Sequence, residues 1–212
     1  MSLALLHTSP AHVPVFDALR DAHHPGLVLR HLVHKDLLDR AGESGPETVA
    51  ADVEALVADA VAEGAAAVLC TCSTLGGVAE SVGVRLGVPV LRVDRPMAAA
   101  AVRAGRVTVL AAHHATLQPT RALLVQEAER AGERDVDVRT VLVDGAWERF
   151  EAGDHDGYLE WIAAAADAVT DADVIVLAQV SMAGAAARTT TRIPVLSSPR
   201  PGLDAARAAA AR

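Results

Sequence analysis

Short runs of Val, Leu, Ile and Ala alternate along the chain with longer stretches rich in Ala, Glu, Asp and Arg. The longer stretches have helical periodicity, as in Val49–Glu63, Thr120–Ala131 and Tyr158–Thr170. Strand–helix alternation predicts βαβ units and a largely parallel sheet, and runs without polar alternation are typical of strands covered on both faces. The apolar runs are Leu3–Leu6, Leu27–Leu32, Ala66–Cys70, Val88–Val93, Val107–Ala111, Val136–Val143, Val174–Ala178 and Ile193–Leu196.

Two parts of the chain resemble each other at a constant offset. Residues 65–77 align with residues 172–184, and this alignment pairs Cys72 with Gln179. General similarity among βα turns is one explanation, but strand, turn and following helix agree in order in both segments. We therefore expect two pseudo-symmetric α/β halves that place both sets of strand ends around one cleft.

The first half is predicted to comprise residues 1–98 and 190–212, and the second half residues 99–189. In this interpretation the last strand, Ile193–Leu196, and the tail helix from Pro201 return to the first half. Open α/β sheets bind ligands beyond the carboxyl ends of their strands. The functional residues are therefore expected just after those strand ends.

Composition and motifs exclude several classes of function. The formal net charge of −8, without a cluster of Lys or Arg, argues against a nucleic-acid surface. No apolar run approaches the ~20 residues that span a membrane, and the first residues lack the basic segment of a secretory signal. We expect a cytoplasmic protein with reduced thiols. Neither a G-x-G-x-x-G fingerprint nor a Walker A sequence follows a strand, so NAD and ATP gain no support, and no metal site is evident.

Both cysteines of the chain lie in one run, residues 68–77, which indicates a buried strand that ends in a polar turn. Cys70 falls inside the predicted strand, where a free cysteine is most often a small apolar residue. Cys72 falls where the strand stops, ahead of a helix N-terminus that favours a thiolate. We expect Cys72 to act as a base or nucleophile, and Ser73 and Thr74 to hold a substrate carboxylate.

Other polar residues follow predicted strands at the same edge. Thr8 and Ser9 end the first strand, where their hydroxyls either bind an anion or only turn the chain before a proline. His113 and His114 end the matching strand of the second half and are candidate general acids or bases, although adjacent loop histidines are often only solvated. For His31, near the end of the second apolar run, we expect a solvated strand–helix turn.

Together these segments resemble the aspartate/glutamate racemase superfamily, which includes hydantoin racemases, maleate isomerases and arylmalonate decarboxylase. The resemblance implies pseudo-symmetric parallel-sheet halves of Rossmann or flavodoxin-like type with the active site between them. It also implies an isomerase-class enzyme without a cofactor, a small carboxylate substrate and a homodimer or higher homo-oligomer. The matching segments are residues 5–10, 72–74, 109–116, 173–182 and 193–199.

In this family a cysteine from each half flanks the reacting carbon, one removing a proton and the other returning one. Cys72 matches the first of these thiols, and Thr116 matches a hydroxyl of the second half. Gln179 stands where the second cysteine is expected. A carboxamide has no proton for acid–base transfer, although it can hydrogen-bond to a substrate, as can the nearby Ser181.

Three functions are consistent with this sequence. In the first, Cys72 is the sole catalytic thiol of an enzyme that acts at the α-carbon of a small carboxylate or dicarboxylate. One proton donor then favours decarboxylation, isomerisation or lyase chemistry over racemisation. In the second, a true amino-acid or hydantoin racemase uses His113 or His114 in place of the missing thiol. In the third, the protein binds a carboxylate without catalysis.

Overall fold

The computed structural model describes residues 1–133 and 135–212 and divides the chain into two units. The first unit comprises Met1–Asp94 and Pro199–Arg212, and the second comprises Arg95–Ser198. Each unit contains one four-stranded parallel sheet with flanking helices. The predicted α/β fold of two parallel-sheet halves is therefore confirmed. Among the described helices, none combines the length and the apolar character that a membrane crossing requires.

The first unit begins with a strand and ends, after the chain returns from the second unit, with a helix. Its strands are β1 (Ser2–His7), β2 (Val28–Val33), β3 (Ala67–Cys70) and β4 (Val90–Arg92). Its helices are α1 (His12–His23), α2 (Asp36–Ser44), a 3₁₀ helix (Pro46–Val49), α3 (Ala50–Ala62), α4 (Gly76–Leu86) and α9 (Pro199–Ala210).

The second unit repeats the alternation of strands and helices. Its strands are β5 (Arg106–Ala111), β6 (Asp137–Leu142), β7 (Val174–Leu177) and β8 (Val195–Ser197). Its helices are α5 (Arg95–Ala101), α6 (His114–Ala131), α7 (Ala146–Glu151), α8 (His155–Asp167) and a 3₁₀ helix (Val180–Ala187).

The two sheets have the same topology. Their strand orders are β2-β1-β3-β4 and β6-β5-β7-β8, and every neighbouring pair is parallel. The register agrees as well, because Leu6 pairs with Cys70 in the first sheet and Leu110 pairs with Leu177 in the second. Cys72 and Gln179 therefore occupy corresponding positions, each two residues beyond the end of a central strand.

The central strands are covered on both faces, as their unbroken apolar sequences predict. All four residues of β3 are buried, and so are all four of β7. In the first unit, α3 packs its buried Val53, Val57 and Ala60 toward the core. This spacing places the three side chains on one face of the helix.

The last strand corrects the sequence-based assignment of the halves. Val195–Ser197 pairs in parallel with β7, so the prediction that residues 190–198 return to the first half is wrong. Residues 95–98 likewise belong to the second unit, because α5 begins there. The physical reason is that β8 completes the second sheet beside β7, as β4 completes the first sheet beside β3.

The tail helix α9 packs against β1, β3 and β4 of the first unit. Gly202 allows a close approach, because a Cβ built at this residue would lie 2.5 Å from the carbonyl oxygen of Val93. Any larger side chain would force the helix away from the backbone that follows β4. The chain that follows β4 bears on the site, because it holds the buried charges described below.

Candidate active site

In the first unit, residues from two adjacent strands meet at the carboxyl edge of the sheet. Because β1 and β3 are neighbours, Thr8 and Ser9 after β1 lie at the same edge as Cys72, Ser73 and Thr74 after β3. All of these except Ser9 are buried. The Ser9 hydroxyl lies 3.3 Å from the N–H of the residue two positions later and accepts its hydrogen bond, which is a turn-forming role.

The two cysteines have different environments. Cys70 ends β3, is 0% exposed, and directs its thiol at the carbonyl oxygen of Cys72 over 3.6 Å. Burial raises the pKa of the Cys70 thiol, and the neighbouring Cys72 acts in the same direction. Cys72 lies beyond the strand and is 6% exposed. Of the two buried thiols, Cys72 is the one that lies beyond the strand end and keeps the larger exposed fraction.

A buried ion pair supports the turn between β3 and α4. Arg92, at the end of β4, donates from Nε and Nη2 to the two carboxylate oxygens of Asp94 over 2.7 and 2.9 Å. Its Nη2 also donates to the carbonyl oxygen of Ser73 over 3.2 Å. The guanidinium passes so close to Gly76 that a Cβ there would lie 2.8 Å from Arg92 Nε. A buried ion pair, with the guanidinium compensated by Asp94, therefore lies against the turn that follows Cys72.

Sequence reasoning missed this support. Arg92 lies within the apolar run Val88–Val93, and Asp94 follows directly. An arginine at the end of an otherwise apolar strand, followed by a carboxylate two residues later, is a signal that could have identified the pair. Buried charges of this kind are almost always paired.

Histidines of β1, β2 and α1 form a second polar group next to the Cys72 turn. His7 Nδ1 lies 2.8 Å from Thr71 Oγ1, and His7 Nε2 lies 2.8 Å from His31 Nδ1. His12 Nδ1 lies 3.3 Å from the same Thr71 oxygen. Burial lowers the pKa of His7 to about 3, helped by the nearby His12 and His31, and burial lowers the pKa of His12 to about 4. The solvated turn expected for His31 is wrong, because this residue lies inside β2 and pairs with His7.

In the second unit, Gln179 stands at the position that corresponds to Cys72. Its Oε1 accepts hydrogen bonds from the backbone N–H groups of Ala112 and His113, over 2.7 and 3.1 Å. The amide oxygen is therefore committed to the loop that follows β5. The amide NH₂ group is the part of Gln179 that can donate to a ligand.

The two adjacent histidines of this unit, predicted to lie on a loop, instead lie at the N-terminus of α6. His113 caps α6, because its Nδ1 accepts the N–H of Ala115 over 3.2 Å, and His114 is the exposed first residue of the helix. Burial lowers the pKa of His113, with His114 acting in the same direction and Glu151 opposing it. Thr116 is buried in the first turn of α6. The predicted helix start at residue 120 was late, because histidine is an unusual cap.

Aromatic side chains gather beside His113. Its ring makes an edge contact with Trp147 at 4.7 Å between centroids, and Trp147 stacks on Phe150 at 5.0 Å. Phe150 in turn contacts Tyr158 at 5.3 Å. The Tyr158 hydroxyl is 2.9 Å from Ser181 Oγ, so the hydroxyl predicted to bind substrate has a protein partner. The sequence contains few aromatic residues, and their low number does not indicate that most of them form one cluster.

Within each unit the structure thus brings some of the predicted site residues together. The first unit joins Thr8 and Ser9 with the turn that contains Cys72, and the second unit joins Gln179 with His113. Within residues 1–133 and 135–212, no group of three or more His, Cys, Asp or Glu side chains is arranged to hold a metal ion.

Comparisons with known proteins agree with this arrangement. The family model for Asp/Glu/Hydantoin racemase matches residues 7–212. No curated protein sequence matches the chain significantly. Solved structures of similar fold include glutamate racemase from Thermus thermophilus, with 19% identity, a TM-score of 0.69, and coverage of 99% of this chain and 80% of that chain.

Two further structures have the same fold at similar identity. Allantoin racemase from Klebsiella pneumoniae is 18% identical, with a TM-score of 0.66 and coverage of 100% of this chain and 88% of that chain. A glycine-to-cysteine variant of arylmalonate decarboxylase in a sulfate-associated form is 18% identical, with a TM-score of 0.64 and coverage of 100% and 94%. The family model covers nearly the whole chain, and its class is the racemase class of isomerases that the sequence predicts. This chain therefore belongs to the Asp/Glu/Hydantoin racemase family.

Proposed function

We propose that this protein is a cofactor-independent enzyme that acts at the α-carbon of a small carboxylate or dicarboxylate, with Cys72 as its single catalytic thiol. One observation carries the proposal: a thiol follows the central strand of the first sheet, and an amide follows the corresponding strand of the second. Cys70 is enclosed in the core, so Cys72 is the thiol available for chemistry. Family membership supports chemistry at a carbon next to a carboxylate.

The turn after Cys72 supplies what such chemistry needs. Removing an α-proton places charge on an already anionic group, so donors aimed at the carboxylate must stabilise an enediolate, each worth ~3–4 kcal/mol of barrier. Ser73, Thr74 and the N–H groups leading into α4 are the donors we assign to this role. The Arg92–Asp94 ion pair supports the same turn through the carbonyl oxygen of Ser73.

One thiol permits two kinds of step at one face of the α-carbon. The Cys72 thiolate takes the α-proton, forming an S–H bond while the C–H electrons move into the enediolate, and the same proton later returns. In a decarboxylation, carbon dioxide leaves with its bond electrons remaining on the α-carbon, and the Cys72 thiol protonates that carbon. The presence of a decarboxylase among the structures of similar fold is in keeping with the second step.

Gln179 contributes binding in this proposal. Its oxygen already accepts two backbone hydrogen bonds, so its NH₂ group is the part that donates to the substrate carboxylate. We expect Gln179→Ala to raise KM by about tenfold while kcat falls less, the value expected for loss of one hydrogen bond to a charged group. Steady-state kinetics would check this, and loss of all turnover in Gln179→Ala would contradict a binding role.

A true racemase is the second candidate, and one observation favours it. The Nδ1 atom of His113 accepts the N–H of Ala115, so the neutral ring carries its proton on Nε2, where it can be given to a substrate. His114 is exposed and has no such constraint. A non-catalytic carboxylate-binding protein is the remaining alternative.

Exchange in D₂O separates these functions. Single enantiomers of small amino acids, hydantoins, malonates and dicarboxylates would each be incubated with the protein, and the α-carbon followed by NMR. Deuterium entry with retention, decarboxylation or isomerisation supports one-face chemistry by Cys72. Deuterium entry with inversion supports the racemase. Ligand-induced thermal stabilisation without any exchange or product would show a binding protein and overturn the enzyme proposal.

The proposal extends to the setting of the enzyme. We place it in the cytoplasm with both thiols reduced, as a homodimer or a higher homo-oligomer, on the strength of the family resemblance. Light scattering coupled to size-exclusion chromatography measures the assembly directly. A monomer at micromolar concentration would overturn that part of the proposal alone.

A further inference from the structure

Five polar side chains of the first unit form a continuous chain that the proposed reaction at Cys72 does not use. This series of polar contacts runs from His12 through Thr71, His7 and His31 to Asp17. The successive distances are 3.3, 2.8, 2.8 and 3.4 Å. These residues come from β1, β2, α1 and the segment after β3, so only the folded unit brings them together.

The two ends of the chain differ in their surroundings. Asp17 is 37% exposed and pairs with Arg20 over 2.7 Å, so it reaches bulk water. At the other end, His12 is 8% exposed, and among the described residues no group hydrogen-bonds to its Nε2. Thr71, to which His12 bonds, directly precedes Cys72.

The single hydroxyl proton of Thr71 allows two arrangements of hydrogens. In the first, Thr71 donates to His7 Nδ1, His7 Nε2–H donates to His31 Nδ1, and His31 Nε2–H donates to Asp17. In the second, Thr71 donates to the carbonyl oxygen of Leu6 over 3.2 Å, and His7 donates from Nδ1 to Thr71. The second arrangement obliges His31 either to carry a positive charge or to point a lone pair at the carboxylate. The first satisfies all four contacts of the series with neutral rings, which burial favours, and gives up the 3.2 Å hydrogen bond from Thr71 to Leu6.

We propose that His12, Thr71, His7, His31 and Asp17 form a proton relay that makes His12 Nε2 the second acid–base group of the site, in place of the missing thiol. This inference rests on the proposed function: Cys72 serves one face of the α-carbon, and the relay adds a second acid–base group that exchanges protons with solvent. The second acid–base group is then His12 of the first unit, which hydrogen-bonds to Thr71 next to Cys72. It is not His113 or His114 of the second unit.

Each transfer along the relay balances. A proton taken up at His12 Nε2 releases the Nδ1 proton to Thr71 Oγ1, which passes its own hydroxyl proton to His7 Nδ1. His7 then gives its Nε2 proton to His31 Nδ1, and His31 gives its Nε2 proton to Asp17. Each hop breaks one N–H or O–H bond and forms another, and Asp17 exchanges the proton with water. The reverse sequence delivers a solvent proton from Asp17 to His12 and on to the substrate carbon.

The groups around these residues favour neutral imidazole rings. The titratable groups acting on His7 are His12 on α1 and His31 on β2, and both lower its pKa. Phe16 of α1 covers the remaining face of the His7 ring at 5.7 Å between centroids. Asp17 with Arg20 is the charged pair at the chain's outer end, and it is separated from His7 by the His31 ring.

The tautomer of His7 tests the relay without any substrate. Long-range ¹H–¹⁵N NMR of the full-length protein at pH 7, assigned with single histidine-to-glutamine variants, reports which ring nitrogen carries the proton. We expect His7 and His31 protonated on Nε2 and His12 on Nδ1. A His7 ring protonated on Nδ1 would overturn the relay, whatever reaction the enzyme performs.

Replacement of Thr71 tests its function. We expect Thr71→Val, which keeps the shape and removes the hydroxyl, to lower kcat by about 10²-fold, as for loss of general acid–base catalysis, with KM little changed. Thr71→Ser should restore kcat, and His24→Gln, which removes a histidine at the end of α1 outside the relay, should not alter it. Wild-type kcat in a folded Thr71→Val protein would overturn the relay.

The two proposals fail in distinguishable ways. If Cys72→Ala is inactive while Thr71→Val keeps full kcat, the thiol chemistry stands and the relay is wrong. If Cys72→Ala keeps full activity, the proposed function is wrong, and the His7 tautomer still decides the relay. Should Thr71→Val fail to fold by circular dichroism, the tautomer measurement on the unmodified protein decides.

Discussion

At the scale of single residues, two cysteines only two positions apart in the sequence have different environments. Cys70 completes β3 and is enclosed by the apolar core of the first unit, whereas Cys72 lies past the strand and keeps a small exposed fraction. Burial raises the pKa of Cys70, so its reactive thiolate is disfavoured at neutral pH. The position along the chain, and not the residue type, decides which cysteine can act.

Alkylation would show this difference directly. With iodoacetamide at pH 8, we expect Cys72 to be modified at least about tenfold faster than Cys70, because alkylation requires an accessible thiolate. Mass spectrometry of peptides gives the two rates. Cys70→Ala should keep the fast phase and Cys72→Ala should lose it. Faster modification of Cys70 would contradict the assignment.

At the scale of elements, the geometry of the site depends on how α4 begins beside β4. Gly76 opens the helix directly against the guanidinium of Arg92, which holds both Asp94 and the carbonyl oxygen of Ser73. The turn after Cys72 is therefore fixed from behind by a buried ion pair. The position of this turn depends on Gly76, which has no side chain.

Gly76→Ala should accordingly destabilise the protein. A Cβ at this residue would lie 2.8 Å from Arg92 Nε and 2.9 Å from Arg92 Cβ, so the arginine must shift. We expect a loss of about 1–3 kcal/mol in unfolding free energy, as for overpacking of a core.

Gly77→Ala is the matched control for this substitution. The nearest atom outside the helix, Arg92 Nη1, would lie 3.9 Å from a Cβ built at Gly77. The free energy of unfolding of Gly77→Ala should stay within about 1 kcal/mol of the unmodified protein, in line with helix propensity. Equal stability of the Gly76→Ala and Gly77→Ala proteins in urea unfolding would contradict the tight contact with Arg92.

The sequence predicts local elements well and non-local pairings poorly. Unbroken apolar runs identify β3 and β7, and the polar turn after them identifies the Cys72 position, because these signals are local. The strand with which β8 pairs depends on which sheet has an open edge. The three residues of β8 do not carry this information. The His113 cap and the His7–Thr71 contact were likewise missed, because each joins groups that no local pattern relates.

At the scale of the whole molecule, the chain consists of two units that share one topology and differ in the chemistry at their strand ends. The first unit carries the thiol, the buried ion pair and the chain of histidines. The second carries Gln179, whose amide oxygen accepts backbone hydrogen bonds, and the aromatic cluster beside His113. The two units therefore share one topology and differ in the residues beyond β3 and β7.

The buried histidines make the stability of the protein sensitive to acid. In the unfolded chain a histidine binds a proton near pH 6.5, whereas folded His7 and His12 do so near pH 3 and pH 4. The unfolded state therefore takes up protons first, and stability that is present above about pH 6.5 is lost as the pH falls. At pH 5 each histidine should cost roughly 2 kcal/mol, from about 1.4 kcal/mol per pH unit.

Urea unfolding at pH 7.5 and pH 5, followed by circular dichroism, would measure this loss. We expect His12→Gln to reduce the loss of unfolding free energy between the two pH values by roughly 2 kcal/mol, because one of the two buried histidines no longer titrates. His24→Gln, at an exposed ion pair, should leave the loss unchanged. The same pH dependence in all three proteins would contradict a neutral, buried His12.

Paired alanine variants test whether Cys72 is the single catalytic thiol. The carboxylate that exchanges its α-hydrogen or loses carbon dioxide with the unmodified protein would be followed by NMR in D₂O with Cys72→Ala and Cys70→Ala. We expect a loss of about 10²-fold or more in Cys72→Ala, as for removal of an acid–base group, and near-normal rates in Cys70→Ala. Exchange or decarboxylation at the normal rate in Cys72→Ala would contradict a catalytic role of this thiol.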